Sequence, residues 1–269
     1  MARGDYLLDN RQGQAGQRFD ALDALFNPST FRHFEALGVG EGWRVWEVGA
    51  GGPRVARWLG QRTGERVLAS DIDTTWLKED DSFEALEHDV GVDPAPEGAF
   101  DLVHARLVLV HVPQREAALR SMVGALRPGG WILLEEADPG LQPRACLSED
   151  SEEERLANEL KRGFRSLMAE RGVDLAFGRT LPRRLRDAGL VEVGADVYFP
   201  LGGPHCAELE RATVEQIRGQ LVERGLATSE MIDRHLAAVE AGRLDLATSP
   251  MVSAWARKPW DASTPREGT

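Results

Sequence analysis

The segment WEVGAGGPRVARWL, residues 46–59, restricts this chain more than any other. Val45, Trp46 and Val48 open it as a strand, Gly49, Gly51 and Gly52 interrupt it, and Val55, Trp58 and Leu59 resume at helical spacing. Glycines between a strand and a helix let the backbone turn tightly and approach a ligand, because no Cβ stands in the way. Dinucleotide sites use G-x-G-x-x-G, with a third glycine for helix packing and backbone amides for the pyrophosphate. Here the third glycine position holds Arg54, and Pro53 removes an amide donor where a phosphate would want one. Glu47, two residues before Gly49, would repel a pyrophosphate and suits a ligand that carries an ammonium group. A dinucleotide reductase is therefore disfavoured.

The surrounding sequence repeats the strand-helix rhythm. RVWEVGA, RVLASDID, FEALEHDV, the start of FDLVHARLVLVHV, and WILLEE read as strands one to five. RVARWLGQRTG, TWLKED and REAALRSMVGALRPGG read as the helices between them, the last stopped by Pro128 and Gly129. Short apolar strands alternating with helices imply a doubly wound, Rossmann-like, mostly parallel sheet. VEVGADVYF and PMVSAWARK supply strands six and seven. The expected division is a helical cap over 1–42, an α/β core over 43–201 that includes charged helices at 149–176, a helical insert over 202–248, a final strand over 249–260 and a frayed polar tail over 261–269. In the cap, Phe19, Leu22, Leu25 and Phe26 share one helix face, and NPST reads as a turn and N-cap before a second helix. The insert, wholly helical over 206–245, is more than the sheet requires. It is a candidate lid over the acceptor or a homodimer interface.

Bulk chemistry narrows the partners. A net charge of −12, from 44 acidic and 32 basic residues, argues against a nucleic-acid polyanion. Cys146 and Cys206 lie far apart without metal-ligand spacing, which points to reduced thiols in a cytoplasmic setting. The start MARGDYLLDNRQ has no apolar leader core, and no apolar run of about 18 residues occurs, so no membrane association is expected. No His, Cys and carboxylate cluster has metal spacing.

Five stretches in order, EVGAGGP, VLASDID, EHDV, FDLVHARLVLVHVP and LRPGGWILLEE, resemble the class I S-adenosylmethionine-dependent methyltransferases, and within them the small-molecule type of ubiquinone and menaquinone biosynthesis. The resemblance is close over residues 43 to 137 and only in outline beyond. It implies S-adenosylmethionine as cofactor, S-adenosylhomocysteine as product, and a methyl group passed by in-line displacement to a small-molecule, natural-product or peptide acceptor. Glu47, Gly49, Ala50 and Gly51 would form the cofactor loop. Asp71 would hold both ribose hydroxyls, with Ile72 packed on adenine. Asp89 would accept from the adenine amino group, with the Val90 backbone beside it. Ala105 would offer its carbonyl to the ammonium group and Arg106 would meet the methionine carboxylate. Arg18 and Gln17 lie on a helix that folds over the cofactor in related enzymes. Charge-assisted hydrogen bonds, about twice as strong as neutral ones, give Asp71 a reason to be acidic, although an aspartate here also suits a helix N-cap.

His111, in LVLVHVP, matches a histidine common at this place in the family and is the candidate general base, worth about 10²–10⁴-fold where a proton must leave the acceptor. Its alternative is capping or packing. Of Glu135 and Glu136, one is expected to face the substrate and the other solvent. His205 and Tyr198 are candidates for the acceptor pocket, whereas His33, His88, His104 and His235 show no partner pattern and read as structural or surface residues. Two rival functions remain: a binding protein that holds S-adenosylmethionine without transferring its methyl, and a nucleic-acid methyltransferase. The second is disfavoured by acidity and by the absence of an Asn/Asp-Pro-Pro-aromatic tetrapeptide after strand four.

Overall fold

The computed structural model describes residues 13–260, with side chains from Gly16 onward. The stretches MARGDYLLDNRQ and DASTPREGT, on which the readings of a missing leader and a frayed tail rest, lie outside the described residues. Seven strands form one sheet: β1 (Val45–Val48), β2 (Val67–Asp71), β3 (Phe83–Glu87), β4 (Phe100–Arg106), β5 (Leu126–Ala137), β6 (Val191–Tyr198) and β7 (Met251–Arg257), in the order β3-β2-β1-β4-β5-β7-β6. β1 pairs in parallel with β2 and β4, β2 with β3, and β4 with β5. β7 runs against β5, as the bonds Gly129–Lys258 and Asp138–Pro250 at opposite ends require. The fold is the doubly wound, mostly parallel sheet that the strand-helix rhythm predicts. Strand order reverses between β1 and β4, and such a switch point opens the crevice in which open α/β sheets take their ligands.

Local chemistry explains the deviations from expectation. Residues 13–36 form one helix, α1 (Gly13–Ala36), that runs straight through Pro28. The predicted turn at NPST is absent: Thr30 Oγ1 donates to the Phe26 carbonyl at 3.2 Å, adding a local bond on the turn that Pro28 weakens. TWLKED forms only a short 3₁₀ turn at Thr74–Trp76, where the Asp73 side chain accepts from the Thr75 amide. After α2 (Arg54–Thr63) and α3 (Arg115–Ala125), the Pro-Gly-Gly segment belongs to β5 rather than to the helix. Gly129 makes this possible, with φ +78° and the Trp260 ring packed where a side chain would stand.

Packing divides the chain into two compact units. The first comprises the described residues up to Arg32 together with Ala137–Gly178 and Val197–Val252; the second comprises His33–Glu136, Arg179–Asp196 and the described residues from Ser253. Within the first unit, α4 (Glu152–Glu170), α6 (Pro204–Glu223) and α7 (Ser229–Glu240) bury Leu156, Leu160, Leu167, Ile217, Leu221 and Ile232 against one another. The stretch read as wholly helical over 206–245 is thus two helices, parted at Gly225 with φ +63°. α4, counted with the core in the sequence boundaries, shares its apolar face with this helical block. The second unit holds β1 to β4, nearly all of β5, and α5 (Leu181–Asp187).

Candidate active site

The carboxyl ends of β1, β2 and β4 meet in the second unit. Gly49 has φ +62°, and a Cβ built on it would lie 2.3 Å from Val108 Cγ2, so only glycine fits. Gly51 also has φ +62°, and its amide donates to Asp71 Oδ2 at 2.9 Å. Asp71 Oδ1 accepts from the Asp73 amide at 3.0 Å. The carboxylate is thereby fixed between the glycine loop and the end of β2, and Ala50 joins them again through its amide to the Ser70 carbonyl. Burial raises the Asp71 carboxyl above its ordinary range, while the two amides oppose the shift. A carboxylate offers about four acceptor positions, so about two remain for a ligand with paired hydroxyls. Ile72 beside it is 51% exposed, an apolar side chain presented next to a buried acid.

Asp89 is half-buried, with Oδ1 accepting from the Gly91 amide at 2.9 Å, and the following Val90 is buried. Ala105 is buried at the end of β4 opposite Val48. Arg106 is half-buried, and its charge helps to hold the Glu135 carboxyl ionised. The chain then turns through Leu107, a non-glycine residue with φ +59°, into a short 3₁₀ turn over Leu109–His111. His111 ends that turn half-buried. Arg18 is buried on α1 within the first unit, its guanidinium over the Phe19 ring. Gln17 accepts there from Arg211 at 3.0 Å. His205 is exposed and pairs with Glu208, and Tyr198 meets Phe26 edge to face.

Three acidic residues stand elsewhere than expected. Glu47, expected in the cofactor loop, is 2% exposed, and its Oε2 lies 2.6 Å from His104 Nδ1 on β4. Neither Glu135 nor Glu136 faces solvent, each being 1% exposed. Glu135 continues the Glu47–His104 pair, with Oε2 3.4 Å from His104 Nε2 and Oε1 accepting from Ser253 Oγ at 2.7 Å. His33, from α1, lies 3.4 Å from Glu135 and 3.0 Å from Asp196. A chain of acids and imidazoles thus crosses the sheet from β1 to β6. Burial alone would lower the His104 imidazole, but the flanking Glu47 and Glu135 outweigh it and push it up to about 9. Burial likewise opposes ionisation of Glu135, yet His104, His33 and Arg106 hold its carboxyl well below the usual range. His33 is also raised, because Glu135 and Asp196 overcome its burial. Sequence reading left His33 and His104 without partners, since their acids lie on strands made neighbours only by the sheet order. Both faces of β1 and of the middle of β4 are buried, so no alternation within either strand marks the pair.

The residues fit an adenosyl ligand on the donor chemistry that can be inspected: a fixed, buried carboxylate with acceptor capacity to spare, an exposed apolar neighbour, and a glycine loop closed to any Cβ. Among the described residues no group of three His, Cys, Asp or Glu is placed to hold a metal ion.

Comparison with known proteins agrees with this architecture. Residues 46–134 match the family model described as methyltransferase domain. Methyltransferase GfsG of Streptomyces halstedii is 30% identical over 125 residues, 43% of this chain and 45% of that protein. Phosphoethanolamine N-methyltransferase 1 of Arabidopsis thaliana is 24% identical over 194 residues, 67% of this chain and 35% of that protein. The chain spans under half the length of the curated relatives it matches. Among solved structures, the phosphoethanolamine N-methyltransferase 2 of Haemonchus contortus, in complex with S-adenosyl-L-methionine, shares the fold at a TM-score of 0.56 and 16% identity, covering 94% of this chain and 60% of that one. A protein from an antibiotic biosynthesis pathway of Anabaena variabilis does so at 0.57 and 15% identity, covering 86% and 96%. The quinone-biosynthesis subtype is only a loose fit to these relatives. Over residues 46–134 the chain is therefore similar to a methyltransferase domain.

Proposed function

We propose that the protein is an S-adenosylmethionine-dependent methyltransferase acting on a small-molecule, natural-product or peptide acceptor. The observation that carries this reading is the Asp71 carboxylate, anchored by the Gly51 and Asp73 amides with acceptor positions left over for the ribose hydroxyls. When bound, S-adenosylmethionine supplies a methyl group already activated on a sulfonium. Protein catalysis then rests mainly on positioning, which is worth about 7–11 kcal/mol in well-oriented reactions. Asp71 would hold the ribose, Ile72 would offer an apolar surface to the base, and Asp89 with the Val90 backbone would offer it polar groups. Gly49, Ala50 and Gly51 let the backbone approach, Ala105 offers a carbonyl, and Arg106 supplies positive charge for a carboxylate. Glu47 acts through His104 rather than on the ligand. His111, after β4, is the candidate to take a proton from the acceptor.

The relatives support a low-molecular-weight acceptor: one solved neighbour belongs to an antibiotic biosynthesis pathway and others act on phosphoethanolamine. The test is incubation with S-adenosylmethionine and a panel of hydroxylated, amino and carboxylate acceptors. Formation of S-adenosylhomocysteine dependent on one acceptor supports the reading. Tight donor binding with no turnover on any panel member makes the chain a binding protein instead.

A further inference from the structure

Glu136 is a buried acid with no part in the donor contacts described above. Glu136 ends the inner part of β5 at 1% exposure, and its Oε1 alone accepts from three successive backbone amides, Val108 at 3.1 Å, Leu109 at 2.6 Å and Val110 at 3.3 Å. Those amides belong to the turn that follows β4. The same turn begins with the left-handed Leu107 at φ +59°, a conformation that is strained for a side-chain-bearing residue and persists only where the surroundings enforce it. It ends at His111. Between them, the Val108 side chain sits against Gly49, occupying the space that any Cβ there would need. One carboxylate oxygen therefore fixes the backbone of a residue that forms a wall of the glycine loop.

We propose that Glu136 is a positioning residue of the donor site, clamping residues 108–110 so that Val108 is held against Gly49 and His111 is held at the sheet edge. Its reach is what matters: an acceptor oxygen must arrive at the point where three amides converge. The Leu107 amide, bonded to the Glu135 carbonyl at 2.8 Å, anchors the turn from the preceding residue, so β5 holds it at two adjacent positions. The affinity consequence rests on the methyltransferase reading; the clamp itself does not.

Two conservative variants separate reach from charge. Glu136→Gln keeps the length and one acceptor oxygen but cannot ionise, while Glu136→Asp keeps the carboxyl and withdraws its oxygens by one methylene. Amide hydrogen exchange across residues 106–112 and calorimetric binding of S-adenosylhomocysteine are measured on both. The clamp predicts that Glu136→Gln keeps protection at 108–110 and stays within about threefold of wild-type affinity. Glu136→Asp should exchange at least about tenfold faster at those amides, with the rest of the sheet unchanged, and bind about tenfold more weakly. Equal losses in both variants, or none in either, overturn the proposal. If Glu136→Asp does not fold, Glu136→Gln decides alone, and loss of protection in it is fatal. A wild-type chain that fails to bind S-adenosylhomocysteine overturns the donor reading, and the exchange rates then decide the clamp.

Discussion

At Asp71 the sequence motif and the geometry point to the same chemistry. Asp71→Ala removes the acceptor of two backbone amides and of the expected ribose hydroxyls, and should weaken S-adenosylmethionine binding by about 2–3 kcal/mol in calorimetry. Gly49 offers a sharper test of close approach. Gly49→Ala should abolish measurable donor binding, because the new Cβ meets Val108 Cγ2 at 2.3 Å. Adding Val108→Ala should restore part of it, since the nearest remaining contact is then the Cβ at 3.4 Å. With an acceptor in hand, His111→Gln should keep donor affinity and lose turnover by about 10²-fold; weaker donor binding at unchanged turnover would make it a pocket wall. The glycine turn and its bond to the Asp71 carboxylate were legible because they lie within a few residues of their own strand ends. Glu47 was legible as a significant acid but not in its role. Its partner His104 lies on β4, brought alongside by the reversal of strand order, and nothing in the local pattern of either strand records that adjacency.

Among the elements, strands were more legible than helix ends. The apolar runs of β1, β2 and β4 are buried nearly throughout, so composition alone marked them. Pro28 and the Pro-Gly-Gly segment misled for a common reason. Breaker residues report backbone preference, and other contacts offset it: a local Thr30 bond in α1 and the packed Trp260 ring beside β5. The grouping of α4 with α6 and α7 is a long-range apolar match that the segmental rhythm concealed. Its consequence is measurable. Ile217→Ala opens a cavity in a fully buried layer shared by three helices and should cost about 2–5 kcal/mol in urea unfolding. Removing α6 and α7 together would expose Leu156, Leu160 and Leu167, so such a deletion should aggregate rather than isolate the contribution of the insert to turnover.

For the molecule as a whole, the charged chain across the sheet sets how stability varies with pH. His104 is raised from 6.5 to about 9 on folding, so its contribution is complete below about 6.5 and is lost as pH rises through 9. Glu135 is depressed, so its contribution is present above about 4.5 and is lost only well below it. Glu136 is raised by burial from 4.5 to about 8, and its ionisation opposes folding increasingly across that interval. All three place the stability maximum in mildly acidic solution. The thermal midpoint should fall steadily between pH 6.5 and 9, and the slope should be shallower in His104→Gln; a flat wild-type profile would exclude a charged His104.

The Glu47–His104 contact also restricts how this sequence can change over time. Replacing Glu47 alone leaves an imidazolium short of one counter-charge, and replacing His104 alone leaves two carboxylates facing each other without water. Either break costs about 3–5 kcal/mol, much of the margin by which a domain stays folded. Replacing both by apolar residues removes that pair but leaves the buried Glu135 without its His104 partner, so the cost persists unless position 135 changes too. Change at position 47, 104 or 135 is therefore constrained by the other two, and the three positions tend to be inherited as one character.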